Sequence, residues 1–192
     1  MRVAAGHRTT SSTASVPLIE IDVPGNRRGG VRAAARSLQS SLAADMLGFV
    51  MADPFHLERF VQAQDAVIED VRRELRAGRK RTHWMWFVFP QLRGLSSSPT
   101  AQYYALASLA EAQAYVAHPL LGSRLIECSE LVRAIQGRSA REVFGSPDDL
   151  KLRSSMTIFA AACPETPVFA EVLRQYFGGE PDPLTIDLLA KG

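Results

Sequence analysis

Residues 82–90 read Thr-His-Trp-Met-Trp-Phe-Val-Phe-Pro, and the fold class turns on whether this run is a strand or a helix. Its aromatic and β-branched content suits a buried strand. Thr82 is equally placed to cap a short buried helix that Pro90 ends, because the residue before a proline is driven out of the α region. Nowhere does the chain sustain an alternation of period two, so a strand here would have no neighbour to pair its amide and carbonyl groups. Helix is therefore the expected state. The expected fold is all-α, a compact single-domain multihelical bundle.

The surrounding text repeats one device, a cap-competent residue followed by proline and then an apolar pattern of helical period. Asp53-Pro54, Ser98-Pro99, Ser146-Pro147, Thr166-Pro167 and Asp182-Pro183 show it, with His118-Pro119 a weaker form. Proline at the first helical position sacrifices no hydrogen bond, and the preceding side-chain oxygen accepts from exposed amides. In the first helix Leu57, Phe60, Val61, Gln64, Ile68, Val71 and Leu75 recur at three- and four-residue steps, and Gly78 supplies a left-handed stop. Further helices are predicted over 100–117, 119–136, 140–144, 147–162, 167–177 and 183–190, with Ser139 and Glu142 forming a capping box.

Composition sets the bounds. The chain has 192 residues, 46% hydrophobic and 22% charged, which excludes collagen-like and wholly disordered classes. A domain over 51–192 hides enough surface to stand without metal or disulfide. Residues 1–50 are small and polar and carry six arginines against three acids. They read as a disordered extension, with a modest helix over 31–49, or as a mis-assigned start, since Met51-Ala52-Asp53-Pro54 would itself begin a chain. The net charge of +2 is too balanced for a dedicated nucleic-acid binder. No run of about eighteen apolar residues is present to cross a membrane. Cys128 and Cys163 stand apart from any ligand or redox spacing and read as packed thiols in a cytoplasmic setting. Three lysines beside nineteen arginines suggest a GC-rich bacterial genome.

Two segments carry candidate chemistry. From Arg79 to Gln91 stand both tryptophans, three cations and a histidine. Trp84 or Trp86 could stack a planar ligand, Lys80 neutralise an anion, and His83 and Gln91 orient it. The plain alternative makes the tryptophans core, and His83 has no identified orienting carboxylate. From Asp148 to Thr157, Lys151 and Ser154 share a helix side, with Asp148 one turn before Lys151. Such an Asp–Lys pair is ordinarily a solvated bridge; the functional reading is a phosphate-holding surface. The stretch Arg72, Arg73, Arg76, Arg79, Lys80, Arg81, opposed only by Glu74, reads as a solvated helix face. No P-loop, dinucleotide fingerprint, zincin motif or EF-hand loop occurs, and neither metal nor cofactor is expected.

The strings Asp53-Pro54-Phe55, GRKRTHWMWFVFPQLRGL from Gly78, TAQYYA from Thr100, EAQAYVAHPLLGSRL from Glu111 and FGSPDDLKLRSSMTIF from Phe144 resemble the bacterial domain of unknown function 1810 family. The resemblance covers residues 53–189. It implies an all-helical single domain and carries over no catalytic role. Ser96 departs from an expected glycine, and Ala66-Val67 fall where an aromatic is common. The calpastatin-like label attached to the family fits poorly, since that inhibitor is a disordered chain and this sequence has its own core.

The expectation for function is an anionic, nucleotide-like small molecule held where the segment around Lys80, His83, Trp84, Trp86 and Gln91 meets the segment around Lys151 and Ser154. The alternative is a protein-interaction module without catalytic activity, its Arg-rich first helix meeting an acidic partner. Nucleic-acid binding is the least expected.

Overall fold

The computed structural model describes residues 53–191; the expectations for residues 1–50 lie outside them. Among the described residues there are ten helices and no strand. The deciding run is helical: α3 (Met85–Val88) follows α1 (Glu58–Asp65) and α2 (Ile68–Arg76). Then come α4 (Pro99–Tyr103), α5 (Leu109–Ala117), α6 (Pro119–Ala134), α7 (Ala140–Phe144), α8 (Asp148–Ala162), α9 (Val168–Phe177) and α10 (Pro183–Leu189).

Local chemistry caps four of these helices where the text predicts, α4, α6, α7 and α10, whereas α1 begins at Glu58, four residues after Pro54, with Asp53 bonding the turn before it. Asp53 accepts from the amides of Leu57 and Glu58 at 2.7 and 2.9 Å. Ser98 caps α4, Asp182 caps α10, and Ser139 with Glu142 forms the capping box of α7. His118 caps α6 through Nδ1, which accepts from the amides of Leu120 and Leu121. The Ser146-Pro147 and Thr166-Pro167 steps start α8 and α9 without a side-chain cap.

Two predicted helices are broken, each for a long-range reason. The first parts at Ala66 and Val67, where φ of Val67 is −134°. Gln64 there turns inward and donates to Phe87 O and Tyr115 Oη, both at 2.7 Å, while Ile68, Val71 and Leu75 are buried on α2, which packs on α6. The second parts between α4 and α5. Arg59 takes the carbonyls of Tyr103 and Ala105, Glu111 accepts from Ala107 N at 2.7 Å, and Leu106 pairs with residues 91–93 in a single bridge. Backbone committed to distant partners cannot also close a helical ladder.

Helices α6 and α8 are the hubs. Helix α6 meets α1, α2, α3, α5 and α9, and α8 meets α5, α7, α9 and α10. Accordingly the stretch of α8 from Ser154 to Phe159 is buried on every side, while its first two turns keep a polar side with Asp148, Asp149, Lys151 and Arg153. Two of its three hydroxyls return to their own helix, Ser154 to Leu150 O and Thr157 to Arg153 O. Both cysteines are buried free thiols, and burial pushes the Cys128 thiol up to about 12.

The α5–α6 turn is a backbone-to-backbone approach that only glycine permits. A Cβ on Gly122 would lie 1.9 Å from Val116 O, so the two helices would have to separate. Gly122→Ala should destabilise the domain by about 3 kcal/mol or more, at the upper end of overpacking. Chemical denaturation of the two proteins side by side checks this; unchanged stability would mean that the helices part without cost.

Candidate functional site

The candidate site is organised by the turn after α2. Gly78 leaves the helix with φ of 64°, Arg79 N donates back to Glu74 O at 3.0 Å, and Lys80 N reaches Val143 O at 2.8 Å. Glu74, 8% exposed, turns its carboxylate into the turn it precedes. Oε2 accepts from Arg81 N at 2.7 Å, Thr82 N at 3.2 Å and Trp84 Nε1 at 2.8 Å. Oε1 accepts from Thr82 Oγ1 at 2.8 Å. Burial pushes this carboxyl upward, yet the four donors outweigh it and hold the group below the usual carboxylate range. Thr82, read as a helix cap, gives its hydroxyl to Glu74 instead.

Trp84 is thereby fixed in the core, 1% exposed, with Phe89 and Phe144 against its ring. Its faces serve packing and leave no room for a stacked ligand. Lys80, whose side chain is 7% exposed, bonds Asp148 Oδ2 at 2.7 Å and Thr82 O at 2.7 Å, and its Nζ lies 5.2 Å from the Trp84 ring centroid. Lys151 bonds the other oxygen of the same carboxylate, Asp148 Oδ1, at 2.7 Å. Its Nζ stands 4.6 Å over the ring of half-buried Trp86, a cation–π contact.

The two candidate segments therefore meet on one carboxylate. Burial pushes the Asp148 carboxyl upward, while the hydrogen bonds from Lys151 and Lys80 pull it below its ordinary value. At neutral pH it is an ionised acceptor and no source of protons. Two ammonium groups share one negative charge, so the cluster carries a surplus positive charge, and each ammonium, with three N–H groups, retains donors beyond those spent on Asp148 and Thr82.

The other candidates stand differently. His83 is exposed at the rim of the same turn and has no hydrogen-bond partner among the described residues. Ser154 spends its hydroxyl on its own helix; its neighbour Ser155, fully buried, is the one whose Oγ has no partner among the described residues. Gln91 belongs elsewhere, in a crevice of about 10 Å³ beside Gly94 and Gln102. The basic helix face is laced with acids: Arg72 bonds Glu69 and Glu127, and Arg73 bonds Asp70.

Neither Asp148 as the centre nor Glu74 as the clamp is legible in the residue pattern. Asp148 was visible only as the ordinary partner of Lys151. Glu74 did leave a signal, as the lone acid in a run of six cations.

The chain belongs to the DUF1810 family of proteins of unknown function, whose model matches residues 54–189. It is similar to the conserved hypothetical protein Rv1873 from Mycobacterium tuberculosis, known from a crystal structure at 1.38 Å. The two are 61% identical, over 72% of this chain and 99% of that one, with a TM-score of 0.71. None of the curated proteins matches.

A carboxyl whose pKa is depressed by folding adds stability that is fully present above its unfolded value, about 4.3 for Glu, and lost as pH falls through the folded value. Glu74→Gln should cost about 2–3 kcal/mol near neutral pH, the scale of charged hydrogen bonds left unmade. The same variant should flatten the acid-side fall of stability measured by urea denaturation across the carboxylate range. A Glu74→Gln protein with the parent's stability and pH profile would show that the clamp is idle.

Proposed function

We propose that the protein binds a small anionic, nucleotide-like molecule at the Lys80–Asp148–Lys151 cluster. One observation carries the reading: two nearly buried lysines from distant segments converge on a single carboxylate, and their charge is only half compensated. An anionic group beside the ammonium pair would complete the charge balance. Trp86 offers its remaining surface to a planar moiety at the same place, and exposed His83 lies on the turn that carries Lys80. Trp84, Gln91 and Ser154, which the residue pattern also suggests, serve packing, a separate crevice and the α8 backbone. Within this reading the ligand-facing set is Lys80, Lys151, Trp86 and His83, with Asp148 holding the ammonium groups and Glu74 holding the turn.

Thermal melting with inorganic phosphate, nucleotides, ADP-ribose and sugar phosphates tests the reading. A compound present at 100 times its dissociation constant adds about 2.7 kcal/mol. Lys151→Ala, which leaves the Lys80–Asp148 pair in place, should abolish the shift, and Trp86→Leu should reduce it for nucleotides while sparing inorganic phosphate. A flat response across the panel overturns the proposal.

A further inference from the structure

Away from the lysine cluster, the ends of α2 and α6 leave a cleft of about 360 Å³ between them. Leu75, Leu131 and Ile135 give it an aliphatic floor, exposed Ala77, Ala134 and Gln136 stand around them, and Arg76 and Arg138 are the charged residues of its lining. Two helix C-termini would ordinarily make such a place favourable to a cation. Here three of the carbonyls about the helix ends are taken by side chains. Gly78 O accepts from Arg138 Nη1 at 3.0 Å, Ile135 O from Gln175 Nε2 at 2.8 Å, and Val132 O from Tyr176 Oη at 2.8 Å.

The arginines meet acids only through space, Arg76 the carboxylate of Glu127 and Arg138 that of Glu142. Arg76 and Arg138 are exposed, as are Arg79 next to Gly78 and Arg141 on α7, and none of the four forms an ion pair among the described residues. The carboxylates of the flanking elements are spent: Glu74 on its turn, Glu127 on Arg72, Asp70 on Arg73, Glu130 on Arg133 and Glu142 on the capping box. Within a chain of near-neutral charge, the cleft thus carries two guanidinium groups, Arg76 and Arg138, and no carboxylate in its lining.

We propose that this cleft docks an acidic segment of a partner protein, with one aliphatic side chain on the floor and flanking carboxylates on Arg76 and Arg138. Guanidinium groups pair with carboxylates through two parallel N–H donors, and the aliphatic floor selects for an anchor among the acids. Single-stranded nucleic acid fits less well, because its bases stack on aromatic rings and no aromatic residue lines the cleft. No residue of the lysine cluster lines the cleft, although Gly78 belongs to the turn that carries Lys80.

Fluorescence anisotropy on the full chain tests this with three labelled probes of matched charge: a short glutamate peptide with a central leucine, the same peptide without leucine, and an oligothymidylate. The leucine peptide should bind best, with affinity falling as salt rises. Arg76→Glu, at an exposed position, should weaken it by about tenfold or more, as truncating steering and contact charges does. Arg141→Glu should weaken it less, and Lys151→Ala should leave it unchanged while removing any phosphate-ligand shift. Equal binding of both peptides removes the anchor, tighter binding of the oligothymidylate removes the partner class, and indifference to Arg76→Glu removes the site. Melting temperatures of the variants separate these results from misfolding.

Discussion

A carboxylate taken out of water must be given donors or a counter-charge, and Glu74 receives donors alone. Two backbone amides, a hydroxyl and an indole N–H close round it, so the chain after α2 has no choice but to wrap back over the end of the helix. The consequences spread from there. The indole N–H fixes Trp84 in the core, the turn puts Lys80 N on Val143 O, and the Lys80 side chain is thereby delivered to Asp148. One interior anion sets both the packing of the aromatic run and the geometry of the cation cluster.

A half-buried charge, Arg59, does the same where α1 meets the segment between α4 and α5. Arg59 bonds the carbonyls of Phe55, His56, Tyr103 and Ala105 and pairs with Glu111 at 2.7 Å, while its guanidinium lies 4.2 Å from the Phe60 ring centroid. Every guanidinium donor is used, which satisfies the burial condition for such an ion. Glu111 spends its other oxygen on Ala107 N. This pair holds residues 105–107 out of the helical ladder between α4 and α5, and Ser108 then caps α5.

These two anchors mark where the sequence stops being legible. Helix starts are local events, so Asp53, Ser98, Ser139 and Asp182 could be read from neighbours three or four residues away, and the helical choice for the Trp84–Phe89 run followed from the lack of a strand partner. The breaks at Ala66–Val67 and after Tyr103 are not local. They are imposed by Gln64 reaching Tyr115 and by Arg59 reaching carbonyls of a later loop, and no periodicity records such a pairing. The site shows the same division. That Lys80 and Lys151 carry the charge was readable from residue type; that they meet on Asp148 was not, because an acid three residues from a lysine looks the same whether or not a second lysine arrives from elsewhere.

The energetics of that meeting give the cluster its character. Desolvating three charges is expensive, and replacing such a group by apolar residues often stabilises a protein. A pair of opposite charges at least cancels its own field; two lysines on one aspartate cannot. The residual charge is softened by the Trp84 and Trp86 rings and by Thr82 O, none of which bears a full negative charge. An anion arriving there would relieve the repulsion between the ammonium groups as well as gain its own attraction to them. That coupling distinguishes a triad with a surplus cation from the balanced bridges along α2, where Arg72 and Arg73 already have their acids and an anion would gain nothing.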